Sequence, residues 1–504
     1  MNMSFLYSLS GKYMRRTCST LLLAALCSTG AVASSTNTVE FPSGNDWLNH
    51  VTKGLQPYWM MEAAQGAPLG NFPTFRCDDG SLLDVSQPCP ELDKSWINPY
   101  FEREYTRMKS RQIYGYGVLY HLTGNEEALK LAKAGVDYLL ANLRDQENGG
   151  FVSFTKDGKP GLKWQQRTAQ DQAYAIVGLA FYYYLTRDPV VEQALIDQQE
   201  YIFERYKQAA NSDLLWVIED GDEQSHKQRE LVAQLDQING YLLLLTPIMP
   251  KSVQNKWRDD LYWLTDQMVK QYYSEKEQRF YGAIHHKAVM MPDAKHNDYG
   301  HTIKAFWMTY LVGRYFDQNE WQKLGEQGMR TTLERASYSM PTDQAQPFLS
   351  KSLFSQWQSL NEVPTWKSGR YNHFISSWQW AELDQAAMTV NLLDGTTTNH
   401  LYYTQTQYMD VWVDQQYGGV GLDPKQTKAF HWGNAYHQFE HALIGYLSAQ
   451  QWYSKPAQLY FALPSDYKGK IEPYYYQGDI TSRREIGELE GFKKQVISFT
   501  NITP

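Results

Sequence analysis

The chain has 504 residues, 42% of them hydrophobic and 14% aromatic, and a formal charge of −8. That length can bury a large core, and a composition without long low-complexity runs excludes a disordered protein. The acidic balance argues against nucleic acid or an anionic membrane surface as a partner.

Residues 1–33 read as a secretory signal. Arg15 and Arg16 precede a short apolar run over 21–27, and Ala31-Val32-Ala33 offers a small-residue cleavage site before Ser34. Cleavage there removes three positive charges and no acid, taking the formal charge from −8 to about −11. No later run reaches the ~18 apolar residues of a membrane span. A periplasmic or secreted protein is expected. Cys18 and Cys27 fall inside the signal, which leaves Cys77 and Cys89 framing FRCDDGSLLDVSQPCPEL. In an oxidising compartment this last pair is expected to form a disulfide, pinning a short loop for roughly 3 kcal/mol.

Helical patterning then predicts elements at 44–63, 98–122, 125–143, 168–186, 189–208, 226–246, 251–273, 296–316, 318–335, 377–394, 399–414 and 434–450. Stop signals such as LTGNEE (Leu122–Glu127) and LTRDPV (Leu185–Val190) separate neighbours. Twelve alternating helices make six hairpins. Their apolar content is buried most economically by stacking them in a closed ring, an (α/α)6 barrel over residues 34–450. Longer insertions, including 77–89, 149–161, 279–292 and 415–434, are placed to build one rim. From about 451 to 504 the segments QLYFAL, EPYYYQ and QVISFT alternate as strands do, predicting a small β-rich extension.

The candidate chemistry lies on two helix starts. In KAFHWGNAYHQFEHALIGYL, His437, Glu440, His441 and Ile444 share one helix face, with His431 just upstream; in YGHTIKAFWMTYL, His301 and Lys304 share a face with Ala305 and Met308. Histidines held at the starts of apolar helices point to proton transfer near neutral pH. The 37 tyrosines and 16 tryptophans fit either sugar stacking or core packing. His437 and His441 have the spacing of a zinc pair, but no acidic-histidine signature accompanies them, so no metal is expected. No other cofactor is expected either.

These stretches, together with SRQIYGYGVLYHLTGNEEALKLAKAGVDYLLANLRDQENGGF, QDQAYAIVGLAFYYYLT and YGGVGLDPKQTKAFHWGNAYHQFEHAL, resemble the N-acylglucosamine 2-epimerase family of sugar epimerases and aldose–ketose isomerases. The resemblance spans most of residues 98–450 and implies the same barrel. It implies that Arg111 is the sugar-contacting arginine and that His301 and His437 are the acid–base pair beside a sugar carbonyl. Family members are often dimers, so a homodimer is one expected state, and the substrate is a mono- or oligosaccharide. The chain departs from the family pattern at Lys304, where a glutamate is usual, at Glu440, where an arginine is usual, and at Asp236 and Asn239, which replace a histidine and a glutamate.

Asp171 and Tyr174 are expected to face the cavity, as are Glu382 in SSWQWAELDQAAM and Trp380 (or Trp378) as a stacking platform. Lys304, one turn from His301, is expected to keep that imidazole neutral as the base. Glu440, one turn from His437, is expected to favour imidazolium there as the acid. His431 and His441 are candidate supporting groups, and His285 and His286 are expected on a loop. Two rival readings stand beside the epimerase. An exported lyase or glycosidase would use the same barrel, the glycosidase with Asp236 and Glu440 about 6.5–9.5 Å apart. A glycan-binding protein would have lost its bases.

Overall fold

The computed structural model describes residues 41–208, 213–219, 229–284, 296, 298–337, 365–367, 370–372, 376–396, 401, 404–422, 427–433 and 435–504. The expected signal and the loop histidines His285 and His286 lie outside the described residues.

Twelve helical elements alternate along the described chain. α1 runs Gly44–Asn49 and continues through π-helical His50–Leu55 into Gln56–Trp59. α2 is Thr106–Thr123, α3 Glu126–Asn142, α4 Ala169–Thr186 and α5 Pro189–Arg205. α6 passes from Leu231–Gln237 through π-helical Ile238–Leu242 to Leu243–Leu245, and α7 is Lys251–Tyr272. α8 is Tyr299–Tyr315, α9 Asn319–Ser337, α10 Ser377–Asp394, α11 the π-helical Thr404–Trp412 and α12 Tyr436–Trp452.

Local chemistry sets these boundaries. Gly124 ends α2 in the left-handed region at φ 72°, its N–H bonding Tyr120 O, and Asn125 then caps α3 by accepting from Ala128 N. Asp188 caps α5 in the same way, with Pro189 at its first turn. Burial separates two rings. Sixteen of eighteen residues are buried in both α2 and α4, against seven of seventeen in α3 and eight of seventeen in α5. The even-numbered helices are therefore the inner ring: α2 packs on α4, α4 on α6, α8 on α10, α10 on α12, and α12 returns to α2. The architecture is an (α/α)6 barrel.

The expected helix at 98–122 begins late. Asn98–Tyr100 is a 3-10 turn, and Glu104–Tyr105 (β1) pairs antiparallel with Phe154–Lys156 (β2), which pairs with Lys159–Pro160 (β3). Arg229–Glu230 (β4) pairs with Ala283–Ile284 (β7), and Tyr273–Ser274 (β5) pairs with Arg279–Phe280 (β6). These short ladders tie rim loops to the barrel. Thr365–Lys367 (β8) pairs with Arg370–Asn372 (β9).

The C-terminal sheet is antiparallel, ordered β10-β12-β11, from Ala457–Leu463, Gln477–Leu489 and Phe492–Thr503. It sits on the ends of the inner helices, where Tyr120 Oη donates to Phe461 O at 2.9 Å and His121 Nδ1 lies 2.8 Å from Tyr460 O. Residues 40–504 form one compact unit. The expected strand EPYYYQ is an inward turn instead. Its tyrosines find hydroxyl partners inside the barrel: Tyr474 with Glu440, Tyr475 with Asn239 O, Tyr476 with Thr389. β11 escaped the pattern because almost all of its residues are solvent-facing, so no apolar alternation marks it.

Candidate active site

A cavity of about 660 Å³ opens at the end of the barrel where the inner helices begin, well within the ~300–1,000 Å³ of small-molecule sites. Arg111 from α2, Tyr174 from α4, Asp236 from α6, His301 and Lys304 from α8, and His437 from α12 all reach it. Each comes from the first half of an inner helix.

His301 is built in by its own helix cap. Asp298 accepts from His301 N at 2.9 Å through one carboxylate oxygen and from the ring Nδ1 at 2.7 Å through the other. Burial would lower the imidazole pKa, but Asp298 wins and raises it above the ordinary histidine value. Asp298, in turn, is held well below the usual carboxylate range by His301 despite its burial.

His437 has the opposite environment. Burial pushes its pKa down to about 4, against the pull of Glu382, whose Oε1 lies 3.1 Å from its Nδ1. The same Oε1 receives Lys304 Nζ at 2.7 Å. Burial alone would raise Glu382, yet Lys304 and His437 hold it ionised. Trp378 is in ring contact with both imidazoles, its centroid 4.7 Å from that of His301 and 5.7 Å from that of His437.

Arg111 lays its guanidinium 3.8 Å over the Tyr174 ring, a cation–π contact in a buried site. Its Nε has no hydrogen-bond partner among the described residues. Tyr174 Oη donates to Asp236 Oδ1 at 3.1 Å and Gln170 Nε2 to Oδ2 at 2.8 Å, so Asp236 is held from two sides. A π-helical turn, Ile238–Leu242, follows Asp236 in α6.

Several expected residues stand elsewhere. Trp380 is fully buried against Trp412, and Trp378 is the cavity tryptophan. Residues two apart on a helix project about 200° apart, so only one of the pair can face the site. Asp171 pairs with Arg107, Nε to Oδ1 at 2.9 Å, and it is Arg107 that lines the cavity. Glu382 supports Lys304 and His437 from behind. Glu440 is fully buried, accepting from Tyr436 Oη at 3.0 Å and Tyr474 Oη at 2.7 Å, and burial lifts its pKa to about 7. Asp236 lines the cavity and Glu440 does not. His441 is in the core, Nε2 2.8 Å from Asp384 Oδ2, and His431 sits among Tyr100, Tyr105 and Trp432 with its pKa pushed down to about 4 by burial and nearby arginines.

The expected local partners therefore do not set the histidines' charge. Lys304 does disfavour imidazolium at His301, but Asp298 is in direct contact and outweighs it. Glu440 points to tyrosines, leaving burial to dominate at His437. Asp298, three residues before His301 at the start of an apolar helix, is a helix cap of a type that the sequence alone can signal. Glu382, His437 and Glu440 each offer a ligand atom within 4.8 Å of the others, a cluster of metal-binding type. The cation at that cluster is the Lys304 ammonium. The Cys77–Cys89 disulfide is present. No helix among the described residues is long and apolar enough to cross a membrane.

The N-acylglucosamine 2-epimerase (GlcNAc 2-epimerase) family model matches residues 98–338. No curated protein matches the chain in sequence. Among solved structures, a sugar epimerase from a ruminal bacterium superposes with a TM-score of 0.61 at 16% identity, covering 81% of this chain and 98% of the other. Cellobiose 2-epimerase from Spirochaeta thermophila gives 0.61 at 15% identity, covering 81% and 96%. A D-mannose isomerase gives 0.59 at 14% identity, covering 81% and 98%. At such identities the likeness is one of fold.

Proposed function

We propose that this chain, whose residues 98–338 match the N-acylglucosamine 2-epimerase family model, is a sugar 2-epimerase or aldose–ketose isomerase whose proton transfers are shared by His301 and His437. The observation that carries this reading is the placement of both imidazoles, each in ring contact with Trp378, on the wall of one sugar-sized cavity.

Removal of a proton next to a carbonyl needs a base on that carbon and donors for the enediolate oxygen. At neutral pH His437, with its pKa near 4, is neutral. The ionised Glu382 takes the Nδ1 proton as its hydrogen-bond donor, which leaves Nε2 as the base. His301, with Asp298 on Nδ1, is the group charged for donation from Nε2. His437 removes the proton from one face of the opened sugar and His301 supplies one to the other, giving epimerisation at C2. Return to the neighbouring carbon gives isomerisation. In the reverse direction the two histidines exchange tasks. Arg111 and Lys304 reach the same cavity as cations suited to the developing oxyanion. This assignment is the reverse of the one that the helix-turn neighbours alone imply.

An oxidising compartment suits the Cys77–Cys89 bond and fits an exported enzyme. The test is turnover in heavy water with free aldoses, disaccharides and acidic oligosaccharides, read by NMR. Deuterium at C2 with unchanged chain length supports the proposal, and His301→Gln and His437→Gln should each abolish it. New unsaturated ends would identify a lyase, new reducing ends a hydrolase, and binding without exchange a glycan-binding protein; any of these overturns it.

A further inference from the structure

Among the described residues three imidazoles line the cavity, and the proton transfers at C2 use two of them. The third is His296, two residues before the α8 cap Asp298. All three are held in the same way. His301 Nδ1 faces Asp298 and His437 Nδ1 faces Glu382, while Glu230 Oε2 accepts from His296 Nδ1 at 3.1 Å. A carboxylate on Nδ1 fixes the ring and leaves Nε2 for a ligand.

The support behind His296 is firm. Glu230 is buried at the start of α6, where the β4–β7 ladder pairs it with Ala283. Arg229 beside it is ion-paired with Asp213, which also accepts from Tyr272 Oη at 2.6 Å. His296 itself adopts φ 60°, the left-handed region that residues with a Cβ seldom enter and that recurs where a side chain is placed for function. Its ring centroid lies 4.7 Å from that of His301, and its side chain keeps 24% exposure. A ligand in the cavity can reach it.

A reducing sugar rests as a cyclic hemiacetal, and its C2 proton is acidic only once C1 is a carbonyl. His301 is charged and His437 neutral for the C2 step, so either one would lose the form that step needs if it also opened the ring. We propose that His296, oriented by Glu230, opens the sugar ring and gives the chain an anomer-interconverting activity of its own. Nε2 takes the proton from O1. The O1–H electron pair becomes the second C1–O1 bond, the C1–O5 pair leaves on O5, and O5 takes the same proton back from Nε2. Both oxygens are bonded to one carbon, so a single nitrogen serves both, and the imidazole ends neutral as it began. Reclosure on the other face of C1 gives the other anomer. The inference rests on the cavity being a sugar site; it does not depend on which of His301 and His437 moves the C2 proton.

The full chain is tested on glucose, mannose, galactose and cellobiose. Exchange between α and β anomers is read by exchange NMR, and C2 chemistry by the deuterium isotope effect on kcat/KM with C2-deuterated sugar. The native chain should speed anomer exchange, and His296→Gln should lower that acceleration about 100-fold, the size of one acid–base contribution. The isotope effect should disappear in this variant, because ring opening becomes limiting. Glu230→Gln, which keeps a hydrogen-bonding group behind the ring and removes its charge, should also slow anomer exchange. The proposal is overturned if the native chain does not speed anomer exchange, or if His296→Gln keeps the native rate. Slower exchange with the isotope effect retained would mark a damaged loop and overturns it as well. Anomer exchange that His296→Gln abolishes, with no deuterium entering C2 from heavy water, would retain the ring-opening dyad and remove the epimerase reading.

Discussion

Lys304 Nζ and His437 Nδ1 meet the same oxygen, Oε1 of Glu382, at 2.7 and 3.1 Å. One buried carboxylate thus fixes a lysine from α8 and a histidine from α12, with Lys304 and Glu382 each only a few per cent exposed or less. Removing one partner strands the other's charge, so Lys304→Met should destabilise by about 3–5 kcal/mol. The double change Lys304→Met with Glu382→Leu should recover most of that in denaturant unfolding while activity stays lost. Equal destabilisation by single and double variants would show that packing, and no charge pairing, is at stake.

The two histidines predict a broad pH optimum. His437 must be neutral, which holds above its pKa of about 4; His301 must be charged, which holds until pH passes a value raised above 6.5. The acid limb of kcat/KM is therefore expected near pH 4 and the alkaline limb above the ordinary histidine value of 6.5. Asp298→Asn removes the group that raises His301 and should move the alkaline limb down, with the acid limb in place. A shift of the acid limb instead would reverse the assignment.

Arg111→Lys keeps the charge but loses the planar stack on Tyr174, 3.8 Å away. A desolvated cation–π contact is worth about 1–2 kcal/mol, so kcat/KM should fall roughly five- to thirtyfold. Steady-state kinetics beside an unchanged thermal midpoint would check that the loss is in the site.

Glu440 links stability to pH. Its folded pKa is raised to about 7 from an ordinary 4.5, so the folded state binds the proton more tightly. Its contribution is full below pH 4.5 and is lost as pH rises through about 7. Urea unfolding between pH 5 and 8 should show a decline with pH that Glu440→Gln flattens. Tyr474→Phe, which removes a donor to this carboxyl, should steepen it.

The Cys77–Cys89 bond closes a short loop, sequence separation 12, and its removal should cost about 3 kcal/mol of local stability. In Cys77→Ser/Cys89→Ser, limited proteolysis should cut within 78–88 before the barrel unfolds. Protection equal to the native chain would mean that the Phe430 core holds the loop alone.

Hairpins, caps and the disulfide were legible because each is a local matter: apolar spacing, Gly124 or Pro189 at a boundary, two cysteines left over. Arg111, His301 and His437 were legible through family motifs, and the structure brings all three to one cavity. The partners of the histidines were not. Reading one turn along a helix assigned Lys304 to His301 and Glu440 to His437. In the folded chain Asp298 precedes His301 at a cap, and Glu382 arrives 55 residues before His437 from another helix.

By itself the sequence determined the alternation of helices and singled out candidate groups for the chemistry, since those follow from periodicity, residue type and family motifs. Only the closed ring decided which carboxylate meets which imidazole, which of Trp378 and Trp380 faces the hollow, and that Tyr474 reaches Glu440. Burial and charge act through space at a few ångströms, and the distances that set them are made when elements remote in sequence come together.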